Sequence, residues 1–272
     1  MRGKIMENLV TALKLTLLIM SPSLASASEQ TLIRGNPVPN GTRPEVVYIS
    51  MNGSRCTATV VSDRVIVTAA HCVGNGERAT FAYGQNQYTS TCARSPIYPR
   101  QDHDLALCLT EKKIDGVKPA MVDLNPLVLG EKVEILGYGC VRPGGGGGND
   151  GILRNGEATV SGFSNYDVVT RQGVALCFGD SGGPMMRAKK IVAVNSKGNI
   201  SDTNYNLQLS LPESVNFMKA FAERNSVEIC GVTSDCAPAK PTNPCVEEKS
   251  VVEFFTGKKT GAEKEMITCQ GA

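Results

Sequence analysis

The sequence predicts a protein built mainly of β-strands, and three features support this. Short runs rich in β-branched and other apolar residues recur as far as about residue 210. Turn-forming residues separate these runs at intervals that suit an all-β barrel or sandwich. A convincing helical spacing of apolar residues occurs once, at about 212–224. We therefore expect an all-β domain that one helix closes.

The first 27 residues have the pattern of a signal peptide. Basic residues precede or interrupt a short apolar run from Leu15 to Met20, and small residues ending at Ala27 follow it. Such a segment is cut after the small residues. The run is far shorter than the roughly 18 apolar residues of a membrane span, and no later segment reaches that length. We expect a soluble protein that is secreted, periplasmic or extracellular.

Charge and cysteine content narrow the function classes. Removal of residues 1–27 takes away three basic residues and one acidic residue, so the net charge of +2 falls to zero. A neutral chain gives no electrostatic reason to expect nucleic acid or an anionic membrane as a partner. All ten cysteines follow residue 27, and an even number in an exported chain favours disulfides. A zinc site is the weaker alternative, because no CxxC pair occurs and the chain has only two histidines.

Six runs have the composition of strands, and they are VVYIS (46–50), TATVVS (57–62), RVIVTAA (64–70), DLALCLT (104–110), KVEILGY (132–138) and KIVAVNS (190–196). The helix has its own start signals, since Ser210 and Glu213 match a capping box and Pro212 lies in the first turn. Three apolar residues follow at helical spacing, namely Val215, Met218 and Phe221.

Two segments depart from this pattern. Five consecutive glycines within 142–150 predict a mobile surface loop without regular structure. The chain from Asn225 onward is polar and proline-rich, and we expect a small extension that its own disulfides stabilise. Its cysteines are Cys230, Cys236, Cys245 and Cys269.

Three short motifs carry candidate chemistry. His71 lies in TAAHC, Asp104 opens the run DLALC, and Ser181 lies in GDSGGP. Taken singly, each has a plain structural explanation, since glycines and proline form turns and an Asp commonly opens a strand. Together they supply a carboxylate to orient an imidazole, a base that titrates near neutral pH, and a hydroxyl for it to deprotonate.

At these motifs the chain resembles the trypsin and chymotrypsin family of serine endopeptidases. TAAHC, DLAL and GDSGGP occur in the family's order, and the resemblance covers roughly residues 32–224. It implies two six-stranded antiparallel β-barrels with a C-terminal helix, followed by the cysteine-containing extension 225–272. It also implies a monomer that hydrolyses protein or peptide substrates through an acyl-enzyme, with no cofactor and no metal.

The resemblance assigns catalytic roles to these residues. Ser181 is the expected nucleophile, His71 the general base and then acid, and Asp104 the group that orients the imidazole. Asp102 is the nearby alternative, but Asp104 is preferred because it directly precedes the Leu-Ala-Leu run. His103, between the two acids, is interpreted as a loop residue.

Further positions match the family's substrate-binding elements. The backbone amides of Gly179 and Ser181 correspond to the oxyanion hole, where a side chain at residue 179 would crowd the substrate carbonyl. Ser196 matches the serine that hydrogen-bonds the catalytic Asp and binds an extended substrate through its backbone. Gly198 matches the entrance of the specificity pocket.

Substrate preference is predicted from the position six residues before the nucleophile. In the family this residue lies at the floor of the specificity pocket, and here it is Ala175. Alanine offers no charge to a substrate cation, so we expect an uncharged residue before the cut bond. The far wall is expected near Asn204, and Asp202 is the alternative source of an acid.

Disulfide pairing and activation also follow from the resemblance. The family's bridge beside the catalytic histidine corresponds to Cys56 with Cys72, and position suggests Cys92 with Cys108 and Cys140 with Cys177. Family members are commonly zymogens whose new N-terminal ammonium pairs with the Asp before the nucleophile, here Asp180. That N-terminus corresponds to Leu32 and leaves a short propeptide, Ser28 to Thr31, although Arg34 and Thr31 both depart from the usual pattern.

Two functions remain open at this stage. The first is an active secreted endopeptidase. The alternative is a catalytically silent relative that uses the same barrels, or the tail, to bind a partner. An intact set of three catalytic side chains favours the enzyme, because a binding protein does not need them together.

Overall fold

The computed structural model describes residues 32–148 and 150–236. The predicted signal peptide, the propeptide Ser28 to Thr31 and the distal tail with Cys245 and Cys269 lie outside the described residues. Within the described part, no helix is long and apolar enough to cross a bilayer.

The described residues form thirteen β-strands, a 3-10 turn at Ala70–Cys72 and one α-helix. Their bounds are β1 Asn36–Pro37, β2 Val46–Met51, β3 Ser54–Val60, β4 Val65–Thr68, β5 Arg78–Tyr83, β6 Asn86–Arg94, β7 Ala106–Thr110, β8 Lys132–Gly137, β9 Arg154–Ser164, β10 Asp167–Gly173, β11 Pro184–Arg187, β12 Lys190–Gly198, β13 Thr203–Gln208 and α1 Pro212–Asn225.

The first barrel consists of six strands in the closed order β2-β3-β4-β7-β6-β5. All pairings are antiparallel, and the pairing of β2 with β5 closes the barrel at Ile49 opposite Phe81. Side chains of β5 alternate between buried and exposed, as a period of two residues requires. The barrel interior includes the stacked rings of Phe81 and Tyr88, whose centroids lie 5.3 Å apart.

The second barrel follows the same principle. Strands β9, β10, β13, β12, β11 and β8 are paired in that order, β8 also pairs with β9, and β1 adds to the outer edge of β9. Its core includes Ile135, Val168 and Met185, all fully buried. The prediction of two six-stranded antiparallel barrels is therefore confirmed.

The helix lies where the sequence predicts it, but its start differs. α1 begins after Leu211, which makes no side-chain capping bond, so the predicted capping box of Ser210 and Glu213 does not form. The Ser214 hydroxyl instead donates to the Gln208 carbonyl at 2.7 Å. This buried serine ties the first helical turn to the end of β13.

All three predicted disulfides are present, joining Cys56 to Cys72, Cys92 to Cys108 and Cys140 to Cys177. A fourth joins Cys230 to Cys236 within the start of the tail.

The first residues of the tail belong to the packed structure. Ile229 and Cys230 are fully buried. The Cys230 amide donates to the Val61 carbonyl at 2.9 Å, and its carbonyl accepts from the Val122 amide at 2.8 Å. The tail therefore starts as a strap on the first barrel.

The glycine-rich loop forms turns and one isolated bridge between Arg142 and Gly146. No strand or helix occurs in its described residues. The prediction of an irregular segment is confirmed in this respect.

Candidate active site

The three predicted triad residues converge between the barrels because of strand pairing. β4 and β7 are antiparallel with Thr68 opposite Ala106. His71 follows β4 and Asp104 precedes β7, so both leave the first barrel at the same end. Ser181 comes from the loop between β10 and β11 of the second barrel.

Two hydrogen bonds join His71 to Asp104. The imidazole Nδ1 lies 2.6 Å from Asp104 Oδ2, and the His71 backbone amide donates to Oδ1 at 2.8 Å. The Asp104 side chain is 4% exposed whereas that of His71 is 38% exposed. An ionised carboxylate accepts from Nδ1–H, so this geometry leaves Nε2 as the free acceptor of the ring.

A third donor fixes the carboxylate. The buried Ser196 hydroxyl donates to Asp104 Oδ2 at 2.6 Å. Burial alone would raise the pKa of Asp104, but the hydrogen bonds from His71 and Ser196 outweigh it and hold that pKa below its ordinary value. Asp104 therefore stays ionised beside the imidazole at neutral pH.

The neighbouring candidates face elsewhere. Asp102 is exposed and pairs with the Lys197 ammonium, so it does not approach His71. His103 lies between strands, as predicted, but is fully buried. Its Nδ1 lies 2.8 Å from Ser95 Oγ and its Nε2 lies 3.0 Å from Ser214 Oγ.

Ser181 and His71 line one pocket of about 270 Å³, together with Ser196 and Gly198. The Ser181 carbonyl accepts from the Thr57 amide at 2.8 Å. Among the contacts of the described residues, no hydrogen bond joins the Ser181 hydroxyl to the imidazole. The structure thus brings the candidate nucleophile and the candidate base to one pocket.

A hydrogen bond fixes the peptide that joins Phe178 to Gly179, whose N–H is an oxyanion-hole candidate. The Cys140 amide donates to the Phe178 carbonyl at 2.9 Å. The N–H of a trans peptide points opposite to its C=O, so the Gly179 N–H faces away from Cys140. Gly179 has a φ of 103°, which a residue with a side chain rarely adopts.

Asp180 is buried completely behind the nucleophile loop. Its carboxylate accepts from the Gly139 and Cys177 amides, each at 2.8 Å. Burial raises the pKa of Asp180 to about 7. Among the described residues, no ion pair involves this carboxylate. Leu32, the predicted mature N-terminus, is also fully buried.

The pocket wall differs in one respect from the sequence prediction. Ala175 is fully buried and packs with Ile33, Cys140 and Cys177, outside the pocket lining. Apolar side chains line the pocket instead, and they are Leu176, Phe178 and Ile200. Ile200 also packs on the cluster that contains Ala175.

Asn204 and Asp202 have separate positions. Asn204 Oδ1 accepts from the Leu176 amide at 2.7 Å, and its Nδ2 donates to the Val174 carbonyl at 3.0 Å. This buried amide therefore holds the pocket wall from behind. Asp202 hydrogen-bonds Asn199 and Thr203 and is not part of the lining.

Sequence reasoning missed two contributors to the site. Phe178 is 63% exposed although it is a large apolar residue, and Thr57 is buried directly beneath the nucleophile loop. The position of Phe178 two residues before Asp180 was a usable signal. Thr57 carried none, since threonine is ordinary in a strand.

Comparison with known proteins agrees with this architecture. The family model described as Trypsin matches residues 32–215. The snake venom serine protease catroxase-1 of Crotalus atrox is 23% identical over 206 residues, which cover 62% of this chain and 77% of that protein. A trypsin of Simulium vittatum is 29% identical over 175 residues, covering 53% of this chain and 70% of its own length.

Solved structures share the fold. A mutant of human heparin binding protein (CAP37) superposes with a TM-score of 0.60 at 19% identity and covers 71% of this chain and 97% of that one. Neuropsin from mouse brain gives a TM-score of 0.57 at 17% identity, covering 71% and 99%. With the family model matching well over half of the sequence, this chain belongs to the trypsin family of serine-type endopeptidases.

Proposed function

We propose that this protein hydrolyses peptide bonds with Ser181 as nucleophile, His71 as general base and Asp104 as the orienting acid. The observation that carries the proposal is the buried Asp104 carboxylate with two hydrogen bonds to His71, whose ring lines a pocket together with Ser181. The same arrangement would be unnecessary in a protein that only binds a partner.

The reaction follows from the positions of these groups. His71 Nε2 takes the proton of the Ser181 hydroxyl as Oγ attacks the substrate carbonyl, and it then gives that proton to the leaving amine. Water repeats the sequence on the resulting acyl-enzyme, with His71 again as base. Asp104 keeps its negative charge and stabilises the imidazolium at each stage.

The developing oxyanion is assigned to the amides of Gly179 and Ser181. The orientation of the Phe178–Gly179 peptide supports this, because the Cys140 amide already occupies the carbonyl side. Loss of one such donor typically costs on the order of 3 kcal/mol of transition-state stabilisation. The substrate backbone would add along the end of β12 at Ser196 and Gly198.

The pocket lining supports a preference for an uncharged side chain before the cut bond. Leu176, Phe178 and Ile200 offer no partner to a substrate cation. The ammonium of Lys197, at the pocket rim, is already paired with Asp102 and Asp167. Cleavage of a peptide library should therefore favour apolar residues at this position, whereas dominant cutting after Arg or Lys would contradict the assignment.

Activation is proposed to occur at or near Leu32. A new ammonium there would supply an ion-pair partner, which the buried Asp180 carboxylate lacks among the described residues.

Four disulfides support an oxidising compartment, and we propose that the enzyme is exported. We also propose that it acts as a monomer.

Labelling with a fluorophosphonate tests the mechanism directly. The wild-type protein should be labelled on Ser181, and both Ser181→Ala and His71→Ala should lose turnover by several orders of magnitude. The double variant should be no worse than either single one, because the groups act as a unit. A folded wild-type protein that begins at Leu32 and takes no label would contradict the proposal, and additive losses would contradict the assignment of roles.

A further inference from the structure

Thr57 lies beneath the nucleophile loop and contacts it twice. This residue is on β3 of the first barrel and is fully buried. Its hydroxyl donates to the Gly179 carbonyl at 2.8 Å, and its backbone amide donates to the Ser181 carbonyl at 2.8 Å. Thr57 therefore holds both residues that the proposed oxyanion hole uses.

The hydroxyl also reaches the second barrel. The Tyr138 amide, just after β8, donates to Thr57 Oγ1 at 3.1 Å. The backbone carbonyl of Thr57 in turn accepts from the Thr68 hydroxyl at 2.9 Å. Each polar atom of Thr57 thus has a partner, and a buried group held in this way has little freedom to move.

Gly179 needs such an anchor more than other residues do. Glycine has no side chain to restrict its two backbone torsions, and its φ of 103° is one of many that it can adopt. The carbonyl on its N-terminal side is held by the Cys140 amide, while its own carbonyl is held by the Thr57 hydroxyl. The first bond holds the peptide plane that carries the Gly179 N–H and the second holds the following peptide plane, so together they restrict both backbone torsions of Gly179.

We propose that Thr57 is a positioning residue of the oxyanion hole, which acts by holding the Gly179 carbonyl so that the Gly179 N–H stays aimed at the reacting carbonyl. It touches neither substrate nor the reacting atoms. The inference rests on the proposed hydrolytic function and adds to it a residue outside the triad motifs.

The chain offers a matched set of variants. Thr57→Val keeps the shape of the side chain but removes the hydroxyl, and Thr57→Ser keeps the hydroxyl. Thr59 is a second fully buried threonine on β3, and its hydroxyl has no partner among the described residues. Thr59→Val therefore makes the same chemical change on the same strand without breaking a bond.

The measurement compares turnover of a peptide ester with binding of a peptide boronate, whose tetrahedral adduct on Ser181 mimics the transition state. For Thr57→Val we expect kcat to fall about 10- to 100-fold, less than the loss of a direct donor, with KM little changed. Boronate affinity should fall in step with kcat. For Thr57→Ser, both kcat and boronate affinity should stay within about threefold of the wild-type values. Thr59→Val should have the wild-type values of both.

The outcomes separate the possible errors. Wild-type kcat and boronate affinity in folded Thr57→Val would overturn this inference alone, and so would a serine variant as impaired as the valine variant, since packing would then be the cause. If the valine variant does not fold, Thr57→Ala gives the same comparison with serine. A folded wild-type protein that begins at Leu32 and shows neither turnover nor boronate binding would overturn the proposed function as well.

Discussion

His103 adjoins the proposed catalytic acid but has a structural environment of its own. The Ser214 hydroxyl donates to Gln208, so it accepts from His103 Nε2–H, and Nδ1 is then the acceptor for Ser95. Burial lowers the pKa of His103, although the charges of Glu213 and Asp104 oppose that shift. The folded protein therefore favours the neutral ring.

This environment predicts an acid sensitivity. With a folded pKa below the ordinary value of about 6.5, the unfolded chain binds a proton that the folded one resists. Stability from this group is complete above pH 6.5 and is lost as pH falls through the folded pKa. Thermal unfolding of Ser181→Ala, with and without His103→Asn, should show that the asparagine variant loses this part of the pH dependence. Parallel curves across pH 4–7 would contradict the prediction.

The raised pKa of Asp180 predicts that, in the uncut chain, folding stability depends on pH in the opposite direction. Its pKa is raised to about 7, so the folded state binds a proton more tightly than the unfolded one, and stability falls as pH rises from about 4 through 7. A shift of this size corresponds to ~4 kcal/mol. If the proposed activation is correct, a chain that starts at Leu32 should pair its ammonium with the carboxylate and lose most of this pH dependence.

The comparison needs chains that cannot cut themselves. Both forms should therefore carry Ser181→Ala, and their unfolding free energies should be measured by urea titration at several pH values. Identical pH profiles for the uncut and Leu32-first forms would show that the new N-terminus does not reach Asp180.

At this scale the sequence distinguished some residues and not others. Asp104 could be preferred over Asp102 because it directly precedes the Leu-Ala-Leu run. In the structure its carboxylate is hydrogen-bonded to the His71 imidazole. Thr57 could not be found, because its importance depends on a bond to Gly179, 122 positions away. Ala175 is buried outside the pocket lining, and counting back from the nucleophile could not show how this residue packs.

Within the glycine-rich loop, the contact with Phe178 explains why residue 145 is a glycine. Gly145 has a φ of 96°, and a Cβ there would lie 2.8 Å from the Phe178 ring. The loop can therefore approach the exposed ring that lines the pocket only because residue 145 lacks a side chain. Gly144 has a similar φ of 82° but nothing within 4 Å of its Cβ position.

These two glycines form a matched pair for experiment. Gly145→Ala should displace Phe178 and change kcat/KM several-fold across a panel of peptides that differ before the cut bond. Gly144→Ala should have a similar backbone cost, about 1 kcal/mol, with an unchanged panel. If both alanine variants behave alike, the contact with Phe178 does not shape the pocket.

Strand prediction succeeded for the most apolar runs and missed several strands that are rich in polar residues. Continuous apolar runs such as Val65–Thr68 are buried along their whole length, so composition alone indicates them. β6 at Asn86–Arg94 and β9 at Arg154–Ser164 carry polar residues on their outer faces and were not identified. The predicted helix cap was off by one residue, because the N-cap position is Leu211, which has no polar side chain, and not Ser210.

At the scale of the whole molecule, the pattern of strand-like runs and turns could not decide between a β-barrel and a β-sandwich. Closure depends on pairings such as Ile49 with Phe81, which join strands that are not neighbours in the chain. Only the family resemblance resolved this point. The candidate active site depends on the same long-range pairings, because His71 and Asp104 come from the first barrel and Ser181 comes from the second.

Truncation of the tail can show which of its residues contribute to the stability of the folded protein. Ile229 and Cys230 are buried, and Cys230 makes backbone hydrogen bonds to Val61, just after β3, and to Val122, between β7 and β8. A chain that ends after Asn225 loses these contacts, and removal of a buried aliphatic side chain alone typically costs 2–5 kcal/mol. A chain that ends after Cys236 keeps them together with the Cys230–Cys236 disulfide.

We therefore expect the two truncations to differ in stability more than in chemistry. Ending the chain after Cys236 should leave the melting temperature near that of the full chain, whereas ending it after Asn225 should lower it by several degrees or more. Both should hydrolyse a small ester at low temperature, because the triad candidates lie on the barrels. Equal melting temperatures would show that the strap adds nothing, and a loss of activity on large proteins alone would assign the distal tail a role in docking substrates.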